Sequence, residues 1–145
     1  MSSPISPHCR LDHLVIAATD CATGVDWFHH ISGISLPAGG QHLQMGTHNH
    51  VTALSRHAYL ELIAIDESVT APALPQGHSR WFGLDDSACQ ARLTDAPCLL
   101  SWAVATTDLD ATLITVRNAG IDPGQPVSMS RGDLHWRLAL RPDGS

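Results

Sequence analysis

"LDHLVIAATD" at residues 11–20 and "LLSWAVATTD" at residues 99–108 carry one pattern twice: Leu11, Ala17, Thr19 and Asp20 recur, at a fixed spacing, as Leu99, Ala105, Thr107 and Asp108. Self-similarity at a fixed offset settles architecture before function. Each run is apolar and of strand length, and each ends in Thr plus an Asp suited to capping the helix that follows. The helices repeat as well. Cys21, Val25 and Phe28 in the first correspond to Leu109, Leu113 and Val116 in the second, a spacing that draws one apolar stripe down each helix. Gly33 and Gly120 supply the stops.

Outward from the first run come the Gly-rich approach "PAGGQHLQMG" and two strands, "HNHVTALS" and "AYLELIAI", joined by a polar turn around Arg56 and His57. The first unit, about residues 11–65, therefore reads β-α-β-β-β. The second, about 99–145, gives "GQPVSMS" and "LHWRLAL", whose Leu134, Trp136, Leu138 and Leu140 alternate with His135, Arg137 and Ala139. It then reaches the turn-forming "RPDGS" with no counterpart of "AYLELIAI", one strand short of the first unit. Residues 66–98 read as connector, with "SRWFGLDD" as a short helix whose Trp81 and Phe82 plug the open side of the sheet.

Composition narrows the function classes. At 145 residues, 43% hydrophobic and 15% charged, the chain is of single-domain size and has no run able to span a membrane. A net charge of −6 and the absence of lysine leave no basic stripe for nucleic acid. "MSSPISPHCR" has neither a positive nor an apolar segment of a secretory leader, and Cys9, Cys21, Cys89 and Cys98 form no C-x-x-C, so a cytoplasmic protein with free thiols is expected.

Two residues stand out by strand parity. His13 shares a face with Val15 and Ala17, while Leu14 and Ile16 turn the other way, toward the helix. Glu61 sits opposite Leu60 and Leu62, and a carboxylate inside "YLELIAI" needs a partner or a metal.

Taken together, "LDHLVIAATD", "MGTHN", "YLELIAID", "RWFGLD" and "SWAV" make the chain from Leu11 onward resemble the glyoxalase-like domain family of the vicinal oxygen chelate superfamily. The resemblance implies an α+β fold whose tandem βαβββ units curl into an open, cup-shaped mixed sheet, the second unit lacking its last strand. It also implies a divalent metal ion in the cup, held from the first and last strands of each unit. Carried over, the first unit's ligand positions fall on His13 and Glu61, which the resemblance thus implies point into one cavity. The second unit's first-strand position falls on Ser101, a poor ligand for a divalent ion, and its last strand is missing. His48 and His50 share a strand face at a spacing suited to chelation, so His48 is the third candidate ligand, with His50 and His42 behind it. Zinc, iron, nickel or manganese would be the ion, imidazole favouring the first three.

Two functions follow. In one, a metal in the cup polarises a small substrate while Glu61 or a nearby histidine moves a proton, in isomerase, lyase or dioxygenase chemistry. In the other, the cup sequesters a small apolar or aromatic ligand without catalysis or metal, and His13 and Glu61 only hydrogen-bond it or each other. The strand edge left by the short second unit favours pairing with another chain, as a homodimer.

Overall fold

Asp20 and Asp108 start the two repeated helices as the sequence pattern predicts. Each carboxylate accepts the backbone N–H three residues on, from Thr23 at 2.8 Å and Ala111 at 2.9 Å. A side-chain acceptor there satisfies an N–H that the first helical turn leaves unpaired. The computed structural model describes residues 8–145, so the first seven residues of the leader reading lie outside it. The first unit is β1 (Cys9–Ala17), α1 (Cys21–Ser32), β2 (Ala38–His42), β3 (Thr47–Ala53) and β4 (Tyr59–Ile65). The connector holds a 3-10 turn, Trp81–Gly83, and α2 (Ser87–Asp95). The second unit is β5 (Cys98–Thr106), α3 (Leu109–Asn118), β6 (Gln125–Arg131) and β7 (Leu134–Leu140).

The architecture is α+β. Five strands form one mixed sheet in the order β2-β3-β4-β1-β5, and β6 pairs with β7 in a separate two-stranded sheet. β1 runs parallel to β4 and antiparallel to β5. In the first unit β4 joins β1 to β3; in the second, β5 and β7 are not joined.

Register assigns every side chain to a face. Across the parallel pair His13 lies beside Tyr59 and Val15 beside Glu61, and across β3 and β4 Asn49 lies beside Ile63 and Val51 beside Glu61. His13, Val15, Ala17, Tyr59, Glu61, Ile63, Thr47 and Asn49 therefore line one face, called inward here. The other face carries Ile16, Leu60, Leu62 and Ala64, which form a core with Cys21, Val25, Trp27 and Phe28 of α1. Burying such an apolar helix stripe is what stabilises a helix of this length.

The inward face is also covered. Val15, Ala17, Met45 and Ile63 pack with Trp81, Leu84, Cys89 and Leu93 of the connector and with Met129 and Leu140 of the small sheet. Trp81 is only 7% exposed, so the connector does plug the open side. Helix α2 is an addition to the sequence reading. Asp86 caps it, accepting from Cys89 N at 2.9 Å, and it buries just Cys89 and Leu93, too narrow a stripe to stand out in a polar stretch.

The second helix departs from the repeat. Leu113 is buried and α3 rests on β7, but Trp102 and Val104 of β5, the repeat counterparts of the helix-facing Leu14 and Ile16, remain 65% and 44% exposed. The four cysteines are unpaired. Among the described residues no helix is long and apolar enough to cross a membrane.

A candidate acid–base site on the inward face

Asp12 and His13 stand at a bulge in β1, where the register against β5 shifts between Leu11 and His13. A bulge puts one extra residue into a strand and re-aims its neighbours. Here it brings the Asp12 carboxylate beside His13: Nδ1 lies 2.8 Å from Asp12 Oδ2. A carboxylate only accepts, which places a proton on Nδ1 and turns Nε2 toward Glu61 Oε2, 3.4 Å away. The other Glu61 oxygen accepts a 2.6 Å hydrogen bond from Asn49 Nδ2, and Asn49 Oδ1 accepts from the Gly40 N–H at 2.9 Å. The result is one chain of contacts, Asp12–His13–Glu61–Asn49, drawn from three strands.

Its surroundings are dry. The His13 side chain is 13% exposed and that of Glu61 6%. Tyr59 stacks on the His13 ring at 4.6 Å and Phe82 meets its edge at 6.4 Å. Burial pushes the Glu61 carboxyl above its ordinary range, against the opposing pull of the Asn49 hydrogen bond and the charges of His13 and Arg131. The same burial, with Glu61 and Asp12 nearby, pushes the Tyr59 phenol up. Phe82 holds φ at +60°, a left-handed conformation that costs a residue with a side chain about 1 kcal/mol or more. An open groove of about 290 Å³ begins at Tyr59, bounded by Arg10, Ala53 and the turn from Ser55 to Ala58.

The structure thus brings His13 and Glu61 together. It does not bring His48 or His50 to them: these pair with Ala64 and Leu62 and so occupy the face under α1. The His48 carbonyl accepts from Cys21 Sγ at 3.6 Å, and His50 Nδ1 reaches the Leu36 carbonyl at 2.9 Å. His42 does face inward, across from Thr47, but at the far end beside Trp81, where burial lowers it to about 4. Ser101 lies next to Val15 on β5. Asn49, between the two histidines, is the residue the sequence reading passed over. Counting register back from the hairpin, where Ala53 meets Tyr59, would have put the odd positions of β3 on the Glu61 face.

Among the described residues no three His, Cys, Asp or Glu side chains converge on one point. His13 Nε2 and Glu61 Oε2 make two donors, short of the three or four protein ligands a zinc ion draws. Proton transfer is what these residues offer by themselves. His13 Nε2 and a carboxyl of raised pKa, 3.4 Å apart, are both placed to give or take a proton.

Comparisons with known proteins agree on the architecture. The family model described as glyoxalase-like domain matches residues 11–145. No curated protein sequence matches. A methylmalonyl-CoA epimerase from Mycobacterium tuberculosis has a similar structure, with TM-score 0.51 and 21% identity over 88% of this chain and 74% of that one. A hypothetical protein from Staphylococcus aureus gives TM-score 0.56 at 18% identity, over 90% of this chain and 50% of that one. At these identities the likeness is one of fold.

Proposed function

The chain belongs to the glyoxalase-like domain family, and from that premise we propose that it is an isomerase-type enzyme that moves a proton on a small molecule bound over the His13–Glu61 pair. The observation that carries this reading is the buried contact of the two side chains, each held from behind. Asp12 fixes the imidazole and Asn49 fixes the carboxylate. A group with a rigid second partner is ready to transfer a proton without reorganising. Fold does not choose the chemistry, because folds of this kind host many functions, so the epimerase likeness adds nothing to the site itself.

In this reading Glu61, with its raised pKa, exchanges the proton with an acidic carbon of the substrate. His13 relays it, with Asp12 stabilising the imidazolium that forms. Phe82 and Tyr59 exclude water, and Phe82 moves aside to admit the substrate from the groove at Tyr59. A divalent ion, if the protein uses one, would need donors beyond His13 and Glu61, and the substrate's own oxygens are the natural source. The protein acts in the cytoplasm, consistent with its four free cysteines.

The test is catalysed hydrogen–deuterium exchange in D₂O, followed by NMR over a panel of small oxo- and thioester acids, before and after dialysis against a chelator. Exchange by the native chain that falls about a hundredfold or more in Glu61→Gln supports the reading. Saturable binding of panel members with no exchange would replace it with the non-catalytic binding module. Exchange lost on chelation and restored by metal would show that an ion carries the step.

A further inference from the structure

Strand parity carries the inward face past the acid–base pair to the end of the sheet. Ala53 pairs with Tyr59 at the hairpin, and Tyr59 stands two residues before Glu61 on β4, about 7 Å along the strand. The open groove of about 290 Å³ lies at that end, and Tyr59 is the wall it shares with the pair, since the same ring stacks on His13 at 4.6 Å. The groove is basic. Arg10 enters it from β1, and Arg56 and His57 from the turn between β3 and β4. Among the described residues no acidic side chain lines it, in a chain whose net charge is −6.

Arg10 and the turn hold one another in place. Ser55 Oγ accepts from the backbone N–H groups of His57 at 3.2 Å and Ala58 at 3.1 Å, and an accepting hydroxyl keeps its own proton to donate. Leu54 N and Ser55 N both donate to the Ala58 carbonyl. Arg10 Nη1 donates to the His57 carbonyl at 2.8 Å, which ties β1 to the turn and leaves the rest of the guanidinium fork to a ligand. A single cation in so open a groove would hold an anion weakly, because water and salt screen it. Two guanidiniums, an imidazole and a hydroxyl around one space act on the same ligand together, and a dianion draws on more than one of the charges.

We propose that this groove binds the phosphate of a small phosphorylated substrate, gripped by Arg10 from β1 and by Arg56 from the turn, with the reacting carbon reaching past Tyr59 to His13 and Glu61. This rests on the proton-transfer reading and names its substrate class: a phosphate monoester of an oxo compound, with about 7 Å or more between the phosphate and the acidic C–H. A phosphate presents oxygens at several angles to donors that come from two elements, whereas a carboxylate is satisfied by one guanidinium fork. Tyr59, common to the groove and the pair, sets the spacing between the anchored end and the reacting end.

The experiment titrates inorganic phosphate calorimetrically into the whole chain and into Arg10→Gln, Arg56→Gln and Arg137→Gln, with malonate as a second probe. Saturable phosphate binding, tighter than that of malonate, weakened about tenfold or more by Arg10→Gln and by Arg56→Gln and unchanged by Arg137→Gln, supports the assignment. Arg10→Lys and Arg56→Lys, which keep the charge, should retain part of the binding, and melting temperatures of all variants separate a lost charge from a lost turn. No saturable phosphate binding, equal binding by the Arg10→Gln and Arg56→Gln variants, or malonate bound as tightly as phosphate would overturn it. Glu61→Gln separates the two proposals: it leaves phosphate binding in place, yet abolishes deuterium exchange into ribose 5-phosphate if proton transfer is right. Phosphate binding by a native chain that exchanges no phosphorylated oxo compound would keep the groove as an anion site and overturn the reading on which the substrate class rests.

Discussion

His42 and Glu61 are two inward-facing titratable groups that burial shifts in opposite directions, and each leaves its own mark on stability. Burial, reinforced by the charges of Arg131 and His48, holds His42 at about 4 against an ordinary 6.5. A depressed histidine favours the fold while neutral, so its contribution is complete above about pH 6.5 and is lost as pH falls toward about 4. The loss is about 3 kcal/mol as an upper bound, because His42 is only partly buried. Urea midpoints at neutral pH and at about pH 5 should therefore fall apart in the native chain and converge in His42→Gln. Equal midpoints in the native chain would remove the shift. Glu61 works the other way: its raised pKa favours the fold while the carboxyl is protonated, and that contribution declines as pH rises through the folded value. Asn49→Ala strips Glu61 of its hydrogen bond and leaves the Gly40 N–H unpaired, which should cost about 2 kcal/mol in the same unfolding measurement.

At the level of elements, α1 lies against β4 at Gly24, a buried glycine in mid-helix. A Cβ there would come within 2.8 Å of both Ala18 Cβ and Leu62 Cδ2. Two effects oppose each other in Gly24→Ala. Helix propensity favours alanine by about 1 kcal/mol. Overpacking against Leu62, which is 0% exposed and cannot swing away, costs about 1–3 kcal/mol. The fold should lose stability on balance, seen as a lower melting temperature. A rise would mean that the helix can lift off the sheet without penalty. The same closeness explains why His48 and His50 are unavailable to the site. They lie on the side of β3 that α1 covers, and β3 could not be turned over without exposing Leu62 and Ala64.

For the whole molecule, the consequence of two separate sheets falls on β5. It is the edge of the five-stranded sheet, runs nine residues from Cys98 to Thr106 without a charged side chain, and exposes Leu99, Trp102 and Val104. Long uncharged edges recruit further strands, and two copies meeting edge to edge would form a closed, self-complementary pair. Light scattering should accordingly show association rising with concentration in the native chain, and a shift toward monomer in Trp102→Lys. A monomer at every concentration would show that this edge is protected in solution.

How much of this was legible beforehand depended on whether the signal was local. The twin runs, their Asp caps and the apolar stripes of α1 follow from residues near one another in the chain, so the sequence alone determined the α+β fold, the duplicated first strand and helix, and the shared face of His13 and Glu61. Parity within a strand is a local property. Asn49 and Tyr59 were not legible, because each joins the site through pairing register. Only the tertiary structure decided that β3 offers its asparagine rather than its histidines, and that Asp12 is turned beside His13 at a bulge. The physical reason is that which face of a strand meets a partner is fixed by the burial of the whole sheet, a free energy that no short stretch of sequence carries by itself.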